Sequence, residues 1–265
     1  MRRSILLLTL LASAFISASG GAWAITNVST PSTAMTTPSN PLQHVRKHPG
    51  PKRGQSANWS GYDVTGSGSI DVQGSWIQPA PTCKSGENSW SSPWIGIGGV
   101  TSNTLEQIGT DTDCSNGKPS YYAWYEIYPN PFVTLKNIQV NPGDKFSAEV
   151  STSGNGSYTL ILNKLDSNTN QVLQTTGPIV QSSKKARNSS VEWIMEGPYN
   201  GLLTNFGTVT FTDAKAAIKG QTVTPLGSFP NRDPITMVTS GRVKRAVPSR
   251  LSSDGSSFSV TWKHN

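Results

Sequence analysis

The sequence predicts an all-β protein: one two-sheet antiparallel β-sandwich behind an N-terminal leader. Three observations carry this reading. Short segments alternate apolar and polar residues, turn-forming clusters separate them, and Val, Ile, Thr, Trp and Tyr fill the runs between. The 265 residues include 25 Gly and 18 Pro and are 14% charged, which suits one globular domain with appendages and not a coiled coil or a disordered chain.

The elements follow in order. Met1-Arg2-Arg3, an apolar run over 5–16 and Ala22-Trp23-Ala24 form the charged start, greasy stretch and small-x-small site of a secretory signal at residues 1–24. The run is broken by serines and glycines well short of the roughly 20 apolar residues of a membrane span. The chain is therefore expected to be secreted, extracellular and free of the membrane once the signal is removed. Residues 25–55 turn to Thr, Ser and Pro and then to His44-Val45-Arg46-Lys47-His48-Pro49-Gly50-Pro51-Lys52-Arg53. Such a stretch buries too little apolar surface to order itself. It reads equally as a propeptide or as a linker.

Residues 56–265 form the sandwich. Turn chemistry recurs at Gly66-Ser67-Gly68, Pro79-Ala80-Pro81, Asn116-Gly117, Asn141-Pro142-Gly143-Asp144 and Ser153-Gly154-Asn155-Gly156. The runs 145–152, 158–164 and 171–174 make a meander, and 258–262 a last strand. Only 213–218 suggests a helical turn.

Charge excludes one class of partner. Of 22 Lys and Arg, six precede residue 56, where there is no acid, so the remainder is 22 − 6 = 16 bases against 15 acids. A nearly neutral domain has no electrostatic footprint for phosphate, so nucleic acid is set aside. Cys83 and Cys114 are the 2 cysteines, and export permits a bridge between them. Two of the 3 His lie in the tail and the third is His264, which leaves no Cys/His metal cage and starves any Ser-His or Cys-His mechanism. No metal or cofactor is expected. Chemistry falls to carboxylates and amides.

Tyr121-Tyr122-Ala123-Trp124-Tyr125-Glu126-Ile127-Tyr128-Pro129 is the most unusual stretch. Strand alternation sends Tyr122, Trp124, Glu126 and Tyr128 to one aromatic and acidic face, suited to gripping an extended polymer, and the others to the core. In Val191-Glu192-Trp193-Ile194-Met195-Glu196 the two carboxylates share a face about 13 Å apart, too far for a glycosidase pair. Pro93-Trp94-Ile95-Gly96-Ile97-Gly98-Gly99 precedes Leu105-Glu106-Gln107-Ile108-Gly109-Thr110-Asp111, and glycines within strands admit a close neighbour or ligand.

Together with Asn58-Trp59-Ser60-Gly61 and Phe211-Thr212-Asp213, these strings in this order resemble the eqolisins, the glutamic peptidases. The Ala123-to-Pro129 and Glu192-to-Glu196 strings are the specific ones. The resemblance implies a sandwich of two seven-stranded sheets and a catalytic Gln and Glu, which fall on Gln107 and Glu196, with Glu192 in reserve. Substrate-binding positions fall on Trp59, Trp94, Asp111, Trp124, Glu126 and Tyr128. Two acids the family can carry are replaced by Gly98 and Tyr122, which implies altered proton sharing and a raised pH optimum.

Peptide hydrolysis needs an activated water, a donor to the oxyanion and a proton for the leaving amine. A carboxylate at Glu196 and the amide of Gln107 can supply these without a protein nucleophile. The expected protein is a monomeric acid endopeptidase acting on protein or peptide substrates. Two alternatives use the same aromatic face: a carbohydrate-binding module, since similar lectin/glucanase-like sandwiches stack rings on sugars, and a glycoside hydrolase using Glu126 and Glu196. Neither needs Gln107.

Overall fold

In the computed structural model residues 50–52 and 54–265 are described. The signal and most of the tail lie outside them.

The chain forms two sheets that share one strand. The sheet that will carry the site has the order Arg232–Val238, Trp59–Thr65, Ser190–Glu196, Ser89–Gly98, Leu105–Ser115, Lys118–Tyr128 and Val133–Leu135, antiparallel throughout. In the second, Val172–Thr175 and Ile179–Ser182 line Ser157–Leu165. Lys145–Thr152, Ser69–Ile77, Thr208–Ile218, Phe258–Trp262 and Lys244–Pro248 follow. Arg232–Val238 joins the layers: Arg232 to Ile235 pair with Trp59–Thr65, and Met237 and Val238 pair with Lys244–Pro248. The first strand, Gln55–Ser56, lies parallel to the end of this shared strand.

Alternation makes the sandwich. In Lys145–Thr152 every second residue is buried, and Phe146, Ala148 and Val150 meet Tyr62, Ile95, Ile97, Ile108, Val191 and Trp193 of the site sheet in one core. Each large apolar side chain removed from water contributes about 1.5–3 kcal/mol. The indole of Trp193 crosses the interface and donates to the carbonyl of Gln73 at 2.7 Å. The meander and the last strand stand where expected, with the third run shifted by one residue to Val172–Thr175.

One expectation is corrected. Residues 213–218 are the end of the strand Thr208–Ile218, not a helical turn. Asp213 has φ 52° and the pairing with Ser69–Ile77 slips between Thr212 and Lys215, which is a bulge. Ala214 and Ala216 then point into the core. The Ala-Lys composition favours helix locally, but long-range pairing overrides it. Among the described residues the helical content is the 3₁₀ turn Leu226–Ser228, and no helix is long and apolar enough to cross a membrane.

Cys83 and Cys114 are bridged, with Cα atoms 5.6 Å apart. The bridge ties the loop before Ser89–Gly98 to the far end of the strand that carries Gln107.

Candidate active site

The face of the site sheet turned away from the core has its own buried cluster: Trp59, Trp94, Leu105, Tyr122, Trp124, Ile194 and Ile235, with Val100, Tyr128 and Phe132 packed against it. Register sorts this face into rows. One runs Asp63, Glu192, Gly96, Gln107, Glu126 across five neighbouring strands. The next is Gly61, Ile194, Trp94, Gly109, Trp124. The third holds Trp59, Glu196 and Ser92, and the same register brings Asp111 beside Ser92, with Tyr122 opposite it. All eight site residues expected from sequence therefore lie on one face, Tyr128 at its rim opposite Leu105.

Glu196 ends its strand on this face and is buried. The indole N–H of Trp94 donates to its Oε2 at 2.9 Å and Asn58 Nδ2 donates to its Oε1 at 3.1 Å. Trp94 meets Trp59 edge to face, with centroids 5.2 Å apart. The indole of Trp124 is anchored by donating to Ser92 Oγ at 3.0 Å, and that hydroxyl donates to the Thr110 carbonyl at 2.8 Å. The backbone carbonyl of Asp111 accepts from Gln78 at 3.0 Å.

Gln107 is likewise buried, and its Nε2 donates to Glu126 Oε2 at 2.6 Å. A carboxylate acceptor fixes which end of the amide is which. Gly96 makes room for it: a Cβ there would lie 3.0 Å from the Gln107 Cβ, the Glu106 carbonyl and Leu105 Cδ1. At Gly109 a Cβ would lie 2.6 Å from the Cβ of Trp94. The close backbone approach expected at these glycines comes from the Glu106 carbonyl at Gly96 and the Pro93 carbonyl at Gly109, with site side chains beside them.

Three further carboxyl groups lie in or beside the row of Gln107. Asp63, opposite Glu192, is pushed up to about 7 by burial and then by the charge of Asp233. Burial holds Glu192 well above the usual carboxylate range, opposed by the Ser190 hydroxyl and reinforced by Asp63 and Glu106. Glu106, on the core face next to Gln107, is pushed up to about 7, again by burial, with the Ser183 hydroxyl opposing. Gly98 has φ +97° and a Cβ there would lie 2.6 Å from the Thr104 carbonyl. The acid that the family can carry at this position does not fit this backbone.

Sequence reasoning passed over Asn58 and Arg245. Asn58 stood inside a quoted string, next to Trp59, but its contact spans 138 residues. Arg245 carried no motif. It is buried and holds the carbonyls of Ala57, Pro198 and Gly201, on either side of Asn58 and Glu196 in the chain. Among the described residues no cluster of His, Cys, Asp and Glu could hold a metal ion.

A sandwich whose outer face sets an amide and buried carboxylates among tryptophans has the equipment of a β-sandwich hydrolase. Residues 57–262 match the Peptidase A4 family. The chain belongs to that family, the eqolisins, and is a glutamic endopeptidase. It is 30% identical to aspergillopepsin-2 of Aspergillus niger over 193 residues, 64% of this chain and 67% of that one. It is 29% identical to scytalidopepsin B of Scytalidium lignicola over 110 residues, 41% of this chain and 40% of that one. Among solved structures, scytalido-glutamic peptidase with a transition state analog inhibitor superposes with a TM-score of 0.64 at 21% identity, covering 78% of this chain and 99% of that one. Aspergilloglutamic peptidase from Aspergillus niger gives a TM-score of 0.54 at 26% identity, covering 66% and 99%. The carbohydrate-binding and glycosidase alternatives fall with the family assignment.

Proposed function

We propose that the chain cleaves peptide bonds at acidic pH with Glu196 as general base and Gln107 as oxyanion donor. Glu196 takes a proton from water, the hydroxide adds to the scissile carbonyl, and the other N–H of Gln107 stabilises the oxyanion. The same carboxyl then returns the proton to the departing amine. The carrying observation is placement. Gln107 and Glu196 lie on one face, on the two strands that flank Ser89–Gly98. Their rows are separated by that of Trp94, whose indole already binds Glu196. Their Cα atoms are offset by about 13 Å along the strands and about 10 Å across. The substrate carbonyl and the water would lie between them along that diagonal, over Trp94 and Gly109.

Glu192 is the weaker candidate for the base. It shares a row with Gln107, but burial raises its carboxyl well above the usual carboxylate range, which favours the protonated form, and that form cannot take a proton from water. Trp59, Trp94, Trp124 and Tyr128 supply apolar walls for substrate side chains, and Asp111 and Glu126 the acidic ones. In this reading residues 1–24 export the chain, 25–55 form the propeptide or linker, and 56–265 do the work. The disulfide fits an oxidising compartment.

The test is hydrolysis of a denatured protein at acidic pH by the parent, Gln107→Ala, Glu196→Gln and Glu192→Gln. Loss in the first two variants with retention in the third is expected. Full activity of Glu196→Gln would remove it from the mechanism.

A further inference from the structure

We propose that Asn58 is a positioning residue for Glu196, itself set by Ser56 and Arg245, so that the first residues of the domain complete the active site. The inference rests on Glu196 being the base. Asn58 is buried and donates Nδ2–H to Glu196 Oε1 at 3.1 Å. Its side-chain oxygen accepts from Ser56 Oγ at 3.1 Å. With the acceptor end of the amide held by a hydroxyl, the donor end must face the carboxylate. Ser56 Oγ is fixed in turn, because it accepts from the backbone N–H groups of Asn58 at 3.3 Å and Trp59 at 3.2 Å.

The backbone closes the same circuit. Gly197 N–H donates to the Asn58 carbonyl at 2.8 Å, which brings the residue after Glu196 against Asn58. The Arg245 guanidinium spans the carbonyls of Ala57 at 3.4 Å, Pro198 at 3.0 Å and Gly201 at 2.8 Å. It clips the segment entering Asn58 to the segment leaving Glu196. Donors on both Glu196 oxygens, Asn58 on one and Trp94 on the other, fix the carboxylate plane and the lone pair that meets the water. A cut after Ser56 would strip away part of this device, so productive removal of the tail must fall before Ser56.

The experiment compares kcat, KM, melting temperature and the pH profile of kcat for the parent, Asn58→Ala, Asn58→Asp, Ser56→Ala and Glu196→Gln. For Asn58→Ala, kcat falls about 10- to 100-fold with KM nearly unchanged. Its acid limb moves up by about one pH unit, since a carboxylate that loses a donor takes up a proton more readily. Asn58→Asp keeps activity at the acid end, where its protonated carboxyl still donates, and loses it as pH rises. Ser56→Ala, which retains Asn58, shifts the limb the same way by less and serves if Asn58→Ala does not fold. A parent-like kcat and acid limb in Asn58→Ala, or a loss that tracks melting temperature with the limb unmoved, overturns the positioning role while inactive Glu196→Gln still upholds the base. Active Glu196→Gln overturns the base and the inference with it.

Discussion

Asp63 and Glu192 stand directly opposite one another on neighbouring antiparallel strands, and both are buried. Like charges in that position repel, and each group sits above the usual carboxylate range chiefly because of burial. A carboxyl that is neutral when folded but ionised when unfolded binds more protons in the native state. Its stabilising effect is full below the unfolded value, near 4, and is lost as pH rises through the folded value. Asp63 and Glu106 place that loss between about pH 4 and 7, and Glu192 extends it upward. Stability, and the melting temperature with it, should therefore be highest in acid and fall towards neutrality, with about 4 kcal/mol of the loss from Asp63 alone. Asp63→Asn should flatten the profile; an unchanged slope by calorimetry would refute the assignment.

Gln107 depends on Glu126 for its orientation. Glu126→Leu should lower kcat about tenfold or more, a large part of the loss expected for removing an oxyanion donor, with little change in KM. Glu126→Gln, which can still accept, should lose less. Equal kcat in parent and Glu126→Leu would detach Glu126 from the amide.

Gly96→Ala places a methyl 3.0 Å from the Gln107 Cβ. Activity should drop at least tenfold while the fold persists. Gly98→Asp, which restores a family acid, should destabilise by about 1–3 kcal/mol because of its positive φ. A Gly98→Asp variant as stable as the parent would mean the loop adapts.

Of the cations that precede residue 56, Arg46, Lys47, Lys52 and Arg53 follow the expected signal, whereas Asp111, Glu126 and Glu196 share the proposed site. As a tethered ligand the tail has a high effective concentration and should inhibit at near-neutral pH. Salt should relieve this, since charges are screened within about 10 Å at 0.1 M. The full chain and a chain starting at Gly54 are compared by hydrolysis rate across salt; identical rates throughout would reduce the tail to a linker.

Breaking the Cys83–Cys114 bridge, which spans 31 residues, should cost about 3–4 kcal/mol. Cys83→Ser with Cys114→Ser should melt earlier yet cleave normally well below its transition. A melting curve that coincides with the parent's would contradict this.

Much of the fold was legible because its signals are local. Lys145–Thr152 alternates residue by residue and folds with the same bounds. At 213–218 the local signal pointed the wrong way, because the composition says nothing of the bulge at Asp213 that turns the alanines inward. The proposed site residues stood in motif strings, and the fold sets them on one face of the site sheet. What sequence could not supply is register: the pairing of Asp63 with Glu192 and the contact of Asn58 with Glu196 join segments far apart in the chain. A shift of one residue would have turned every such side chain to the other face.

The position of Ser89–Gly98, wholly buried between the Glu196 and Gln107 strands, bears on how long such an enzyme survives in its own company. A peptidase must fit an unfolded segment into its site, and interior strands detach only when the whole domain opens. Self-digestion should begin instead at the margin, around Val172–Thr175 and Ile179–Ser182, where Val172, Leu173 and Val180 are exposed. Peptide mapping of aged protein should find its first cuts there, and early cuts within Ser89–Gly98 would show that the interior opens on its own. The strands of the proposed site then wear out at the rate of global unfolding, so acidity, by keeping the buried acids neutral, should also set the enzyme's working lifetime.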